Sequence, residues 1–282
     1  MRSTTKIRTN GRRVDGLVLV TGAGSGIGEA TALAFAGRGA NVLCADINGD
    51  NAARTADRCR AVGGSDATPF TVDVSDRDAM GLLAKEVNSE FGALDVLVNN
   101  AGVGMSGRFL DVTMDDWDWI LSINLNGVIH GCHFFAPAMV ERGRGHVVNV
   151  SSGLGYFPRA TENAYVTTKA AVLALSRCLR ADFAQQGVGV SAICPGVIAT
   201  PIVTTTRFRG DDAAGGRRAS AMKLFEKIGH PPELVARKIV DAVERDRPVV
   251  PVGVEASAAW LLQRVVPLRA ADRFNRLSLG GV

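Results

Sequence analysis

Several features that identify whole classes of protein are missing from this sequence. Its five cysteines form no C-x-x-C pair, which argues against a disulfide scaffold or a zinc site and indicates a reducing, cytoplasmic compartment. The four histidines form no metal-ligand pattern, so we expect no bound metal. No apolar run reaches the roughly 18 residues that a membrane span requires. The N-terminus also lacks the long apolar segment of a secretory signal.

Outside the N-terminus the positive and negative charges nearly balance, so a large excess of one sign is missing. The chain has a net charge of +4, and five cations precede its first acidic residue, Asp15: Arg2, Lys6, Arg8, Arg12 and Arg13. Such a tail is either a solvated, disordered terminus or an attractor of nucleic acid or anionic lipid, and we expect disorder over residues 1–14. The rest of the sequence has no interleaved basic and aromatic surface, so nucleic acid is not an expected partner.

What the chain does contain is a regular alternation of apolar runs and amphipathic stretches. Its 282 residues, 46% of them hydrophobic, are enough to bury a large core. Predicted strands are Leu17–Thr21, Asn41–Ala45, Pro69–Val72, Leu94–Val98, His146–Val150, Val188–Cys194 and a closing Val249–Val252. Predicted helices between them are Ile27–Arg38, Asp50–Val62, Asp76–Phe91, Met114–Val140 behind the N-cap candidate Thr113, and Ala164–Gln185. Continuous apolar strands separated by helices are typical of a Rossmann-like α/β fold, a doubly wound parallel sheet with helices on both faces.

The alternation stops after Cys194. Residues 200–229 contain no clear strand, and the composition of Gly210–Gly216 indicates flexibility. Further helices are predicted at Pro231–Arg245 and, with apolar character, at Ala256–Val266. Because the chain has neither an internal repeat nor a low-complexity linker, we expect one domain over residues 15–254 and a C-terminal extension over residues 255–282.

A glycine-rich turn, Thr21–Gly28, joins the first predicted strand to the first helix. Glycine permits a tight turn and close approach to a pyrophosphate, and the helix N-terminus offers N–H groups and the positive end of its dipole. A glycine turn alone is weak evidence. Its place between strand and helix is, however, the one that a dinucleotide site requires.

Asp46, at the end of the second strand, favours NAD over NADP. A carboxylate there can accept hydrogen bonds from the ribose hydroxyls and repels the additional phosphate of NADP. No arginine lies in the glycine turn or directly after Asp46 to offset the repulsion. The alternative is an ordinary acidic loop residue.

Tyr165 and Lys169 are four residues apart on a predicted helix, which places both side chains on one face. A nearby ammonium favours the phenolate, so the pair could exchange a proton with an alcohol or a carbonyl. Tyrosine–lysine pairs are common on helices, and two facts raise this one. The other tyrosine, Tyr156, lacks a lysine four residues on, and Ser151-Ser152 precedes the pair at the carboxyl edge of the sheet.

These elements together resemble the short-chain dehydrogenase/reductase family in its single-domain form. The resemblance extends from about Asp15 to Val252. It rests on elements in the family's order: Thr21–Gly28, Asp73-Val74, Asn99-Asn100-Ala101-Gly102, Asn124, Ser152, Tyr165, Lys169 and Pro195-Gly196. The resemblance implies an enzyme that transfers hydride between NAD(H) and a secondary alcohol or ketone.

The resemblance also implies roles for individual residues. Tyr165 is the acid/base, and Lys169 lowers its pKa and binds the nicotinamide ribose. Ser152, thirteen residues before Tyr165 and for that reason preferred to Ser151, donates a hydrogen bond to the substrate oxygen. Asn124 holds a water in a proton relay, unless it is only a polar kink in a long helix. The implied cofactor-binding residues, besides Tyr165 and Lys169, are Gly22, Ser25, Gly26, Ile27, Gly28, Asp46, Asp73, Val74, Asn100, Ala101, Gly102, Pro195, Gly196, Ile198 and Thr200.

Residues 200–229 correspond to the family's substrate loop. Its apolar side chains suggest a hydrophobic, lipid-like or steroid-like substrate, with Leu154 and Tyr156 adding a wall beside Ser152 and Tyr165. Alternatively, these side chains only pack the loop. A binding module that senses NAD(H) without turnover is the competing function. It predicts an eroded catalytic set, whereas the set is complete here.

The C-terminal extension has two interpretations. The apolar stretch Ala256–Val266 is followed by arginines, which suits a helix in weak contact with an anionic membrane surface. Packing against a neighbouring subunit is the alternative, and the resemblance favours it because family members are usually dimers or tetramers.

Overall fold

A computed structural model of the chain describes residues 14–63, 66–156, 158–214 and 216–266. Seven of the strands in these ranges form one parallel sheet in the order β3-β2-β1-β4-β6-β7-β9. The strands are β1 (Leu17–Thr21), β2 (Asn41–Asp46), β3 (Ala67–Thr71), β4 (Val96–Asn99), β5 (Met105–Ser106), β6 (Gly145–Val150), β7 (Val188–Pro195), β8 (Arg207–Phe208) and β9 (Val249–Val252). Residues 1–13 of the predicted tail and 267–282 of the predicted extension lie outside the described ranges.

Helices cover both faces of the sheet. They are α1 (Gly26–Ala36), α2 (Gly49–Gly63), α3 (Arg77–Glu90), α4 (Met114–Leu121), α5 (Gly127–Arg142), α6 (Asn163–Asp182), α7 (Ile202–Thr205), α8 (Asp211–Ala214), α9 (Arg217–Ile228), α10 (Pro232–Arg245) and α11 (Val254–Leu262). Alternate residues of each strand face opposite layers, since side chains alternate along a strand. Val18 packs with Phe35 of α1 and Ile239 of α10, whereas Leu19 packs with Met80 of α3 and Phe135 of α5. This two-layer core confirms the Rossmann-like α/β fold.

Two local signals in the sequence correspond to helix starts. Thr113 caps α4 in a reciprocal arrangement, in which its hydroxyl accepts the Asp116 N–H and the Asp116 carboxylate accepts the Thr113 N–H. Asp76 accepts hydrogen bonds from the first turn of α3 in the same way. The long helix predicted at Met114–Val140 contains a π-helical turn, Ser122–Asn126, between α4 and α5.

The segment 200–229 has more structure than the sequence predicted. It contains α7, α8, α9 and the short strand β8, which pairs in parallel with β5. The expectation of no strand there is therefore wrong. Asp212 of α8, in the run expected to be flexible, is buried and accepts a hydrogen bond of 2.7 Å from Ser106 Oγ. Among the described helices, none is both long and apolar enough to cross a membrane.

Candidate active site

The glycine turn lies where β1 ends and α1 begins. Gly22 and Gly26 have positive φ values of 63° and 54°, which only glycine adopts without strain. A Cβ on Gly28 would lie 2.0 Å from the Gly22 carbonyl oxygen, so the helix can approach the turn this closely only without a side chain. Ser25 precedes α1 and makes no side-chain capping bond, which leaves the first turn of the helix available to an anion.

Asp46 lies beside this turn at the end of β2. Its Oδ2 accepts the Gly24 N–H at 2.8 Å and its Oδ1 accepts the Asn48 N–H at 2.9 Å. No arginine is adjacent to Asp46 in the sequence, yet Arg54 of α2 reaches the turn and donates to the Gly24 carbonyl at 2.9 Å. An arginine does therefore lie at the turn, contrary to expectation, because α2 brings the eighth residue after Asp46 back to it.

The groove continues between β1 and β4, the point at which the strand order reverses. Thr21 Oγ1 accepts the backbone N–H groups of Asn100 at 3.0 Å and Ala101 at 3.2 Å. The Asn100 amide donates to the carbonyls of Thr21 at 3.0 Å and Gly22 at 3.2 Å. Ligands of doubly wound sheets bind at this kind of crevice. Farther along the same edge, Asp73 Oδ1 is held by Ser75, and Val74 is buried.

Three of the predicted catalytic side chains meet at the carboxyl edge of β6. Ser152 lies close enough to the Tyr165 hydroxyl to lower the pKa of that phenol, and Lys169 Nζ lies 5.8 Å from the centre of the Tyr165 ring. Lys169 donates to the Val150 carbonyl at 3.0 Å. Ser151 donates instead to the Lys169 carbonyl at 2.7 Å and is occupied there, which supports the preference for Ser152.

Burial dominates the protonation of this cluster. Burial raises the pKa of Tyr165 to about 12, an effect that the hydrogen bond from Ser152 only partly offsets. Burial also lowers the pKa of Lys169 to about 8, because desolvation disfavours its charged form. Within the protein alone, burial thus outweighs the nearby ammonium. The lowered tyrosine pKa expected from Lys169 requires a further positive charge at the site.

Asn124 lies in the π-helical turn and is fully buried. Its Oδ1 accepts the Val103 N–H at 2.8 Å, and its Nδ2 donates to the Val103 carbonyl at 2.9 Å and to Thr168 Oγ1 at 3.3 Å. Asn124 and the lysine both border the space beside Gly102, since a Cβ there would lie 3.2 Å from Asn124 Oδ1 and 3.3 Å from Lys169 Nζ. The Asn124 side chain therefore fixes the loop after β4 and retains one oxygen lone pair on the lysine side.

The segment Pro195–Thr200 closes the other side of the groove. Pro195 ends β7, and Ile198 is buried and forms an isolated bridge to His230. A Cβ on Gly26 would lie 3.1 Å from the methyl carbon of Thr200, so the segment reaches the start of α1. The glycine turn and the tyrosine cluster are thus two ends of one groove.

The two residues predicted to form a substrate wall, Leu154 and Tyr156, make different contacts. Leu154 is half-buried, and its N–H donates to Ser152 Oγ at 3.1 Å. Tyr156 is buried, meets Trp260 edge to face with ring centres 5.1 Å apart, and donates to the Ala256 carbonyl at 2.6 Å. In this position Tyr156 links the segment after β6 to α11. The structure does not support a contact of Tyr156 with substrate.

Asp116 of α4 is a functional residue that sequence reasoning missed. It is 1% exposed, receives two hydrogen bonds of 2.6 Å from Arg209, and receives another of 3.2 Å from Arg207. Arg207 also stacks on Trp119 at 3.7 Å. These contacts attach the segment 200–229 to the rim of the groove. Only the capping position of Asp116, behind Thr113, was visible in the sequence.

Comparison with known proteins identifies relatives over most of the chain. A family model described as short chain dehydrogenase matches residues 16–209. The curated protein "Probable oxidoreductase EphD" of Mycobacterium tuberculosis is 46% identical over 275 residues, which cover 95% of this chain and 46% of that protein. The chain thus spans about half the length of these relatives.

Two further comparisons cover a larger share of the matching protein. The 3-oxoacyl-(acyl-carrier-protein) reductase FabG of Thermotoga maritima is 35% identical over 191 residues, 67% of this chain and 77% of that protein. Among solved structures, a short chain dehydrogenase/reductase of Burkholderia phymatum in complex with NAD has a TM-score of 0.80 and 29% identity, and covers 89% of this chain and 93% of its own.

Proposed function

This chain belongs to the short-chain dehydrogenase/reductase family of oxidoreductases, and from that premise we propose that it interconverts a secondary alcohol and a ketone with NAD(H). The observation that carries the proposal is the contact of Tyr165 with Ser152 above Lys169, at the end of a groove that begins at the glycine turn. A phenol at that place can accept a proton from an alcohol or return it to a ketone.

Ser152 is arranged to stabilise charge on the substrate oxygen. Its Oγ accepts the Leu154 N–H at 3.1 Å, so that its own proton can be donated to the tyrosine or to the substrate. A preorganised donor aimed at a developing oxyanion is worth roughly 3–4 kcal/mol in a water-excluded site. Ser152 and Tyr165 would together hold the reacting oxygen between them.

Lys169 and Asn124 support proton exchange behind the tyrosine. Both Nδ2 hydrogens of Asn124 are occupied, and its Oδ1 and the Lys169 Nζ approach Gly102 from the same side. A water bridging those two atoms would continue the path from Tyr165 to solvent, since water bridges polar groups at this kind of separation. Asn124 would then hold that water by accepting its hydrogen bond at Oδ1, and the water would carry the proton.

The groove fits a dinucleotide. The close approach of α1 to the glycine turn and the side-chain-free surface at Gly102 leave room that any Cβ would fill. When bound, NAD supplies the acceptor for the hydride and a positively charged ring beside the phenol. Asp46 would hold the adenosine ribose. Its carboxylate repels the additional phosphate of NADP, so its charge favours NAD over NADP despite the nearby Arg54.

An uncharged, apolar substrate agrees with the segment 200–229. Three of its arginines are engaged within the protein: Arg207 and Arg209 bind Asp116, and Arg218 donates to the carbonyls of residues 203, 204 and 206. These three guanidinium groups are therefore not available to an anionic substrate. We propose a lipid-like or steroid-like alcohol or ketone.

The proposal predicts NADH formation from a panel of secondary alcohols, abolished in Tyr165→Phe. Removing the acid/base typically lowers turnover by about 10²–10⁴-fold. Tyr156→Phe is a matched control, because it removes the other tyrosine hydroxyl from the Ala256 carbonyl and leaves the proton transfer intact.

Equal rates for Tyr165→Phe and wild type would remove Tyr165 from the mechanism. A wild-type protein that binds NADH but turns over no alcohol or ketone would support the sensing module instead. Small polyols clearly outperforming hydrophobic alcohols would refute the apolar substrate.

We further propose that the chain works in the cytoplasm as a homodimer or homotetramer. The exposed apolar side chains Leu261, Leu262 and Val265 on and after α11 suit a subunit contact, with weak membrane contact as the alternative. Sedimentation of the purified protein as a monomer would contradict the oligomer, and co-sedimentation with anionic liposomes would favour the membrane.

A further inference from the structure

The first turn of α11 lies against the groove rather than apart from it. Glu255 Oε1 accepts the Val197 N–H at 2.8 Å, and Glu255 Oε2 lies 3.2 Å from His230 Nε2. Although burial opposes its ionisation, hydrogen bonds from the backbone N–H groups of Glu255 and Val197, followed by His230, hold the pKa of the Glu255 carboxyl below its usual range. A charged acceptor thus faces the segment Pro195–Thr200.

His230 holds the same segment from its other side. The backbone N–H of His230 donates to the Val197 carbonyl at 2.9 Å, and the backbone carbonyl of His230 accepts the Ala199 N–H at 2.9 Å. Val197 is therefore fixed at both of its backbone polar groups, by Glu255 and by His230. The segment has one further anchor, the bond of 2.8 Å from the Gly196 N–H to the Val252 carbonyl.

The neighbouring residue of α11 contacts the serine side of the site. The Cβ of Ala256 lies 3.3 Å from where a Cβ on Gly153 would be, directly after Ser152. The Ala256 carbonyl receives the Tyr156 hydroxyl. The absence of a side chain at Gly196 makes room for Glu255, whose Oε1 would lie 2.0 Å from a Cβ at that position. One helical turn thus contacts both segments that flank the reacting end of the groove.

We propose that Glu255 is a positioning residue, which with His230 holds the segment Pro195–Thr200 in the conformation that receives the nicotinamide end of the cofactor. The inference rests on the proposed function, since it assumes that NAD(H) occupies the groove. Glu255 touches neither substrate nor cofactor, and acts through the backbone of Val197. A segment held in its binding conformation loses less entropy when the ligand arrives.

Binding of NADH and of ADP-ribose tests the proposal in the full chain. ADP-ribose lacks the nicotinamide, so the two ligands separate the two ends of the groove. In Glu255→Ala we expect the Kd for NADH to rise by roughly tenfold, which is about 1.4 kcal/mol, while the Kd for ADP-ribose stays within about twofold. The KM for NAD should rise more than kcat falls, because the loss is one of binding.

Three further variants make the test specific. Glu255→Gln keeps an oxygen acceptor for the Val197 N–H and should give an intermediate Kd for NADH. His230→Ala keeps both backbone bonds to the segment and removes only the imidazole contact with Glu255 Oε2, so it should raise the Kd for NADH by less than Glu255→Ala does. Glu141→Ala removes an exposed glutamate in the last turn of α5 and should leave both constants unchanged.

Two results would overturn the inference while leaving the proposed function in place. In one, Glu255→Ala binds NADH as wild type does. In the other, the Kd values for NADH and ADP-ribose rise together, which would indicate a general loss of structure. A wild-type protein that binds neither ligand would overturn the proposed function, and this inference with it.

Discussion

Replacing Asp116 by asparagine removes one negative charge beneath the segment 200–229 and preserves the shape of the side chain. The carboxylate is 1% exposed and accepts bonds of 2.6 Å from both Nε and Nη2 of Arg209. Its pKa is lowered to about 2 from 3.8, with the Arg209 hydrogen bond as the largest cause. The substitution therefore leaves two arginines and a helix N-terminus without their anion.

The expected loss is about 2–4 kcal/mol. The lowering of the Asp116 pKa to about 2 corresponds to about 2 kcal/mol of stability at neutral pH. Breaking a fully buried ion pair costs roughly 3–5 kcal/mol. The side chains of Arg207 and Arg209 are 39% and 38% exposed, so they recover part of their hydration and the lower part of that range applies.

The pH dependence of the effect has a definite sign. The folded-state pKa of Asp116 is depressed, so its contribution is complete above about pH 4 and is lost as the pH falls through about 2. The difference in stability between wild type and Asp116→Asn should therefore narrow over that window. At neutral pH the difference should lower the Tm by roughly 4–12 °C.

Denaturant unfolding of both proteins measures the difference, and limited proteolysis within residues 200–229 shows whether that segment opens first. Asp115→Asn is the matched control, because Asp115 is an exposed carboxylate in the same helical turn. A loss below about 0.5 kcal/mol, the usual range for a surface substitution, would refute the reasoning. So would an equal loss in Asp115→Asn.

Two further predictions concern the groove. Asp46→Ser should lower the ratio of kcat/KM for NAD to that for NADP by at least about tenfold, and no new arginine is needed because Arg54 already lies at Gly24. Adding Arg54→Met should remove the gain in activity with NADP. An unchanged ratio in the single variant would argue against Asp46 as the selective residue. Gly102→Ala would place a Cβ 3.2–3.3 Å from Asn124 Oδ1 and Lys169 Nζ and should lower kcat by about tenfold or more. In the control Gly37→Ala the new Cβ meets only backbone oxygens, at 3.4 and 3.9 Å, so kcat should stay unchanged. Equal rates for both variants would show that Gly102 tolerates a side chain.

The sheet was predictable because its strands are buried on both faces and therefore continuously apolar. Leu17–Thr21 coincides with β1 and Val249–Val252 with β9, and the other five predicted strands differ from the observed ones by one or two residues at their ends. In a parallel sheet the residues after each strand share one edge. For that reason Gly22, Asn100 and Ser152, far apart in the chain, could be assigned to one groove.

The segment 200–229 was not predictable in the same way. Arg207 and Arg209 pair with Asp116 across 91 and 93 residues of sequence, and no periodicity carries such a pairing. The protonation of Tyr165 was also out of reach, because its pKa depends on how deeply α6 buries the phenol. Arg54 and Glu255 were missed for a related reason: each acts through a backbone group of a distant turn.

The hydrogen bonds between Thr21 and Asn100 have a consequence for the kinetics of binding. The pairing of β1 with β4 ends at Val20 and Val98, and beyond it Thr21 and Asn100 join the two strand ends through hydrogen bonds. The protein therefore fixes both walls of the crevice without help from a ligand. We expect cofactor association to be limited by diffusion and orientation rather than by a conformational change.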